Sequence, residues 1–354
     1  MKYKSCVSLE YLYFMLHGRL DGRGNYARFC CFSDDEMLCV DLCESPEETL
    51  QNFITRRNNI VEESINFAKE GIDPPPNERK FTAVCSGCPD FVEREWRRFG
   101  RAKNLIHYIS FAMGPSPCQS KCIYCCQRLD ERRTYDKNED MDQYRLTFDT
   151  VDYAQKNGFL AKSPLYDVAM GEITVHPLRQ RVFDIIGDNT TCWLTNCIKF
   201  DENIGANLKA NPQSNILTSI DAGTPGTWKE VKGVDNFETV CDNLVKYYEA
   251  ANTPDQVTLK VIILPGLNDN AEDFNMIIEI AKALNAKQMV VAKNTQLPVA
   301  NPGEITPSIV GAAYLCIMLK QNSITPQLKL FTSQEMEIIA DVSEELIRDG
   351  HIVI

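Results

Sequence analysis

The sequence predicts an α/β fold: a partial (β/α)6, TIM-like barrel preceded by a cysteine-rich N-terminal domain. Three observations predict it. From about residue 101, short apolar runs alternate with helical patterns, the signature of parallel strands joined by crossover helices. Before that point the chain is rich in cysteine and built around one long helix. The composition, 44% hydrophobic and 24% charged over 354 residues, is that of a soluble globular chain long enough for one large domain and a smaller one.

The opening stretch, MKYKSCVSLEYLYFML, turns from basic to apolar. Glu10 interrupts it and no small-residue cleavage site follows, so it reads as a core helix or strand and not as a signal peptide. The long helix has Ser45 as N-cap, Pro46 in its first turn, and Glu47 and Glu48 against its positive end. Leu50, Phe53 and Ile54 begin its apolar stripe, Gly71 ends it, and GIDPPPNERK follows as a stiff loop. Strands are expected at 105–113, 165–170, 190–196, 214–221, 257–264 and 287–293. Helices are expected near 140–157, 178–186, 202–210, 236–250 and 271–285. Right-handed crossovers curl such a series into a barrel or partial barrel. The segment past 305 reads as two closing helices, which gives domains at 1–100, 101–305 and 306–354.

Charge excludes some functions. The formal net charge is −12, and short basic clusters such as EREWRRFGRAK read as a solvated helix face, so nucleic acid is not an expected partner. No apolar run approaches the roughly 18 residues of a membrane span, so no membrane partner is expected either. Fifteen cysteines in a long, regularly patterned chain fit a disulfide scaffold poorly. They point to a reduced, cytoplasmic protein whose clustered thiols hold metal.

The densest cluster is PSPCQSKCIYCCQ, where Cys118, Cys122 and Cys125 are spaced CxxxCxxC. Thiolates are the ligands of iron–sulfur clusters. Three of them leave one iron of a four-iron cluster open to an outside ligand. Zinc, the rival, prefers paired CxxC knuckles or Cys/His mixtures, and none of the four histidines lies near this loop in sequence. The loop follows the first strand of the series, at the end where βα folds build active sites.

Here the residues resemble the radical S-adenosylmethionine (radical SAM) enzymes, whose signature is CxxxCxxC with an aromatic before the last cysteine, as Tyr124 is here. AMGEITVHP resembles the family's glycine–glutamate motif, with Met170 where a first glycine often stands. LTSIDAGTPGTWKEVKG and LKVIILPGLND resemble its fourth- and fifth-strand segments. The resemblance implies that Cys118, Cys122 and Cys125 ligate a 4Fe–4S cluster and that SAM chelates the fourth iron. An electron then cleaves SAM to a 5′-deoxyadenosyl radical, which takes hydrogen from a substrate carbon. It implies an external electron donor such as flavodoxin or ferredoxin. It places Gly171 and Glu172 at the SAM amine, Tyr124 by the adenine, and Ser219 and Asp221 by the ribose or carboxylate. Lys260 would pair with the SAM carboxylate and Asn196 would reach SAM or substrate; both read equally as structural polar pairs.

The N-terminal cysteines have their own pattern. Cys85 and Cys88 form a CxxC pair, with Cys30 and Cys31 upstream. This order resembles the SPASM or twitch-type auxiliary domains of many radical SAM enzymes, except that those follow the barrel. It implies a second, auxiliary 4Fe–4S cluster on Cys30, Cys31, Cys85 and Cys88. Adjacent cysteines seldom both bind one cluster, so one of Cys30 and Cys31 is a candidate bystander, with Cys6, Cys39 or Cys43 as the remaining ligand or one iron left open. Structural zinc and inert thiols are the alternatives. Cys197, just past the third strand, reads by default as a small buried hydrophobe; of the remaining cysteines it is also the best placed for the active-site mouth, where a thiol can return a hydrogen atom to a substrate radical. The implied activity is oxidation, cross-linking or epimerisation of a peptide. Dehydrogenation or epimerisation of a sugar or other small polar metabolite is the alternative, and a non-catalytic iron–sulfur electron-transfer protein the alternative of another class.

Overall fold

The computed structural model describes residues 2–18, 25–30, 36–71, 84–85, 88, 90–96, 104–112, 116–125, 137–297, 301 and 303–349. The stiff loop expected after Gly71, and Cys31 and Cys126, lie outside them. The architecture is mixed α/β with largely parallel strands, in keeping with a partial TIM-like barrel. The chain divides into two compact units: 1–117 with 132–171 and 184–190, and 118–131 with 172–183 and 191–354.

The first unit holds β1 (Lys2–Ser5), α1 (Val7–Glu10), β2 (Tyr13–Gly18), β3 (Asn25–Arg28), β4 (Cys39–Asp41), α2 (Pro46–Glu70), β5 (Val92–Glu95), β6 (Ile106–Ala112), α3 (Lys137–Lys156) and β7 (Leu160–Val168). β1 and β5 form an antiparallel pair, so Val92–Glu95 is an exposed strand where a helix face was expected; Trp96 beside it is buried, and the rest of that basic cluster, 97–103, lies outside the described residues. The other strands lie in the order β4-β3-β2-β6-β7. β2 runs parallel to β6, in register from Tyr13↔Tyr108 to His17↔Ala112. The first strand of the expected barrel series is therefore paired with a strand from the first hundred residues, and the boundary expected at residue 100 is bridged by a ladder.

Alternation explains the packing. Phe14, Leu16, Ile109 and Phe111 are buried at or below 1% exposure. Phe14 meets Phe53 of α2 edge-on, Phe29 stacks on the same ring, and Phe111 leans on Phe148 of α3. The helix signals act as read: the Ser45 hydroxyl accepts from the Glu48 amide at 3.2 Å, and Gly71 closes α2 in the left-handed conformation.

The second unit holds α4 (Arg179–Ile186), which ends past the division, then β8 (Thr191–Leu194), α5 (Glu202–Ala210), β9 (Asn215–Ser219), α6 (Pro225–Lys232), α7 (Phe237–Ala250), β10 (Val257–Ile263), α8 (Ala271–Ala283), β11 (Gln288–Lys293), α9 (Pro307–Gln321), β12 (Thr325–Lys329) and α10 (Ser333–Arg348). β8 to β12 pair in sequence order, all parallel. β10 and β11 are buried almost throughout, as parallel strands covered on both faces are. Two elements depart from expectation. α6 is a helix where only a motif was read, and the segment past 305 is helix–strand–helix. β12, TPQLK, is short and half polar, so no apolar run announced it.

α10 is fastened by charge. Lys293, the last residue of β11, puts its ammonium 2.7 Å from both carboxylate oxygens of Glu335. Both side chains are at least nine-tenths buried. Glu335 also closes the capping box with Thr332. Burial alone would raise the Glu335 carboxyl, but the bonds from Lys293 and Thr332 carry it below the usual carboxylate range. A depressed carboxyl stabilises the fold above its unfolded pKa of about 4.3, and that contribution is lost as pH falls through the lower folded value. Lys293→Met should cost about 3–5 kcal/mol in urea unfolding at neutral pH, because it strands a buried carboxylate. The loss should shrink once the pH falls below the range where Glu335 ionises.

Candidate functional site

The cysteine loop, Cys118 to Cys125, lies in the second unit with the ends of β8, β9 and β10. Its main chain is tied to the end of α6: the Lys121 amide donates to the Lys232 carbonyl at 2.7 Å, and the Ile123 amide to the Val231 carbonyl at 3.0 Å. Within the loop, the Cys125 amide donates to the Cys122 carbonyl at 3.1 Å, closing a turn between these two cysteines. Gly233 makes the approach possible. Its φ is +68°, and a Cβ there would lie 2.8 Å from the Lys121 Cβ.

The three thiols influence one another. Desolvation first, then the nearby negative charges of Glu172, Cys122 and Cys125, push the Cys118 thiol up to about 11. Burial likewise raises Cys122, against the pull of Lys232. Cys118 is the exposed member, and the Asn196 side-chain amide stands 3.7 Å from its sulfur. Among the described residues, no group of three or more His, Cys, Asp or Glu side chains is placed to hold a metal ion. The donor chemistry, three soft thiols offered by a single loop with an amide donor beside one sulfur, fits an iron–sulfur cluster.

Glu172 is a hub and not a free carboxylate. It is fully buried. One carboxylate oxygen accepts from the Thr174 amide at 3.1 Å and from the Thr174 and Thr195 hydroxyls at 2.8 Å each; the other accepts from the Asn196 amide at 2.6 Å. Burial raises its pKa and these donors oppose the rise. Asn196 passes the connection on, its side-chain amide donating to the Ser120 hydroxyl at 3.2 Å. Gly171 has φ +56°, and a Cβ there would lie 2.7 Å from the Pro117 carbonyl oxygen, so only glycine fits.

Asp221 plays the same part beside the loop. It is fully buried at φ +42°. One carboxylate oxygen accepts from the Ile262 amide of β10 at 2.7 Å; the other accepts from the Lys232 ammonium at 2.5 Å and from the Tyr124 hydroxyl. Lys232 also donates to the Tyr124 oxygen at 2.7 Å. The Tyr124 ring packs on Val231, Ile262, Leu264 and Ala292, and Gln296 donates to its carbonyl at 2.7 Å. Ser219, the last residue of β9, stands opposite Lys260 in register. Burial lowers the Lys260 pKa, with Asp221 pulling the other way.

Several expectations change. Glu172 and Asp221 are occupied by protein donors. The Tyr124 hydroxyl is bound inside the protein. Cys197 is not at a mouth: it has no exposed surface, sits at φ +57°, and its carbonyl accepts from Asn243 at 3.0 Å. Burial pushes its thiol up to about 12, against hydrogen bonds with Thr218 and Thr195. Being next to a strand end does not set exposure when the chain turns inward. Sequence reasoning missed Lys232, Thr174 and Thr195. The available signal for Lys232 was Trp228 four residues before it on α6, a partner for a covered lysine stem.

In the first unit, Cys85 and Cys88 lie on one turn, closed by the Cys88 amide on the Cys85 carbonyl at 3.0 Å. Pairing of Ser5 with Val92 brings Cys6 toward the same region. Burial raises the Cys6 thiol to about 11, and Cys30 and Cys88 add to the rise as near neighbours. Cys43 instead bonds Thr49 and the Ser45 carbonyl, and Cys39 is buried in β4.

Residues 117–281 match the Radical SAM superfamily. That segment contains the cysteine loop, Glu172, Asn196, Asp221 and Lys232. No curated protein matches the chain in sequence. Among solved structures, Streptococcus suis SuiB bound to precursor peptide SuiA is similar at 13% identity and a TM-score of 0.48, over 88% of this chain and 59% of that one. A radical SAM methyltransferase from Sphaerobacter thermophilus is similar at 14% identity and a TM-score of 0.42, over 60% of this chain and 63% of that one. SuiB bound to S-adenosylmethionine is similar at 12% identity and a TM-score of 0.44, over 96% and 74%. The chain spans less than two thirds of the first two. Among the described residues no helix is long and apolar enough to cross a membrane.

The burial contrast is checkable. At mildly alkaline pH, a small alkylating reagent should modify Cys118 of the metal-free native protein slowly, as its raised pKa dictates and faster as the pH is raised, and reach Cys197 only on unfolding, as mass mapping of the labelled peptides would show.

Proposed function

We propose that the protein is a radical SAM enzyme. The observation that carries the reading is the cysteine loop: three thiols on one loop, anchored to α6, within the segment that matches the superfamily. Cys118, Cys122 and Cys125 would hold a 4Fe–4S cluster and would leave it open to SAM. With both groups bound, the site would supply one-electron reductive cleavage of SAM, the electron coming from an external reductant such as a flavodoxin or ferredoxin, and hydrogen abstraction from a substrate carbon. The protein's own residues hold the site in shape. Gly171 lets the main chain come close, Glu172 fixes Thr174, Thr195 and Asn196, and Asn196 faces the Cys118 sulfur. Lys260, half-buried beside Ser219, is the candidate partner of the SAM carboxylate.

A second cluster belongs to the same reading. Cys30, Cys85 and Cys88 are its ligands, and the electrostatic proximity of Cys6 to Cys30 and Cys88 favours Cys6 as a further one. A second redox site suits reactions that remove an electron after hydrogen abstraction. It supports an oxidised or cross-linked product, and a peptide is the first substrate class to test, ahead of a sugar or other small metabolite.

The reconstituted, reduced protein incubated with SAM should release 5′-deoxyadenosine, measured by chromatography. Cys122→Ala should abolish that release. Cys85→Ala should lower iron content while retaining part of it. An intact cluster with no 5′-deoxyadenosine favours an electron-transfer protein; equal loss in the two variants counts against separate clusters.

A further inference from the structure

We propose that Lys232 is a positioning residue for the cysteine loop: its ammonium locks Tyr124 and so keeps Cys122 and Cys125 in the shape that takes a cluster. The proposal rests on the cluster reading above. Lys232 ends α6, where a lysine is ordinarily a solvated charge facing the negative helix end. Here it is 2% exposed. Its ammonium bonds Asp221 at 2.5 Å and Tyr124 at 2.7 Å, and stands 5.2 Å and 5.3 Å from the ring centres of Tyr124 and Trp228. Tyr124 in turn donates to Asp221, so the three groups close a ring of hydrogen bonds.

The ring is anchored at both ends. Asp221 is fixed to β10 through the Ile262 amide, and its carbonyl accepts from the Asn268 side chain at 2.7 Å. Tyr124 lies between two of the three cluster thiols, so its ring sets the direction of the Cys122–Cys125 turn. The main chain repeats the tie one step away, through the Lys121 and Ile123 amides on the last two carbonyls of α6. A continuous path therefore runs from β10 through Asp221 and Lys232 to the loop. Removing the Tyr124 hydroxyl takes away both of its bonds in the ring, and removing the Lys232 ammonium leaves only the Tyr124–Asp221 bond, so either change loosens the same link.

The test uses the reconstituted full chain as wild type, Tyr124→Phe, the double variant Lys232→Met/Asp221→Asn, and the triple combination. The double variant removes both charges and leaves no stranded carboxylate. Measurements are the thermal midpoint, the rate at which a chelator removes the cluster whose spectrum responds to SAM, and the electron-resonance signal of that reduced cluster. Tyr124→Phe should stay folded at the assay temperature with a somewhat lowered thermal midpoint, yet lose the SAM-responsive cluster about tenfold faster, the order expected for lost hydrogen bonds to a charged group. The double variant should lose it at a similar rate, and the triple no faster than either, because all three break one link. All three should share one broadened signal with SAM, which a general loss of stability would not produce. Wild-type release from the folded double variant, or rates that multiply in the triple, overturns the proposal and leaves the cluster reading standing. If the double variant does not fold, wild-type release from Tyr124→Phe overturns it alone. A wild-type loop that takes up no iron overturns both.

Discussion

A buried ion pair, Asp221 with Lys232, is the constraint around which the cysteine loop is organised. Two opposite charges out of water are tolerated only when their remaining hydrogen-bonding capacity is met. That requirement does the organising. Asp221 meets it by taking the Ile262 amide on one oxygen and the Tyr124 hydroxyl on the other. Lys232 meets it with Tyr124 and the faces of two rings. Each bond that neutralises the pair also fixes a piece of the loop or of the strand behind it. In a low-dielectric setting such bonds strengthen one another, and a missing member is costly.

Glu172 repeats this design at the end of the segment that follows Gly171. Its carboxylate gathers a hydroxyl and an amide of Thr174, the Thr195 hydroxyl and the Asn196 amide. Asn196 then connects to Ser120 of the loop. The loop is thus held from two sides by buried carboxylates, directly by Asp221 through the Tyr124 hydroxyl and indirectly by Glu172 through Asn196. The amide beside Cys118 and the phenol beside Cys122 are placed by these hubs, as outer partners place the ligands of metal sites.

Much of the fold was legible because its signals are local. Ser45, Pro46 and Gly71 marked α2 at both ends, and the apolar runs over β8 to β11 marked a buried parallel sheet. β12 was not legible, since its five residues are mostly polar and its strand character comes from pairing with β11. The CxxxCxxC spacing carried the site, being a property of one short segment. What surrounds it was only partly readable. Glu172 and Asp221 were recognised as important, but their bonding depends on distant amides that spacing does not reveal. Lys232 was hidden for the same reason, because a lysine before a helix-ending glycine looks like an ordinary cap. Cys197 is the buried hydrophobe that a free cysteine is by default, and nearness to a strand end gives it no nearness to solvent.

The parallel ladder between β2 and β6 has a consequence for how the chain is assembled. A ribosome releases β2 long before β6, and in the interval, among the described strands, β2 has β3 to pair with on its antiparallel side. Its other edge is an open row of amides and carbonyls flanked by Phe14 and Leu16, the kind of surface that recruits a neighbouring chain. Closing a loop of that length is slow compared with forming a hairpin. During synthesis, then, the cysteine-bearing first segment waits half-built until the first barrel strand arrives to shield it.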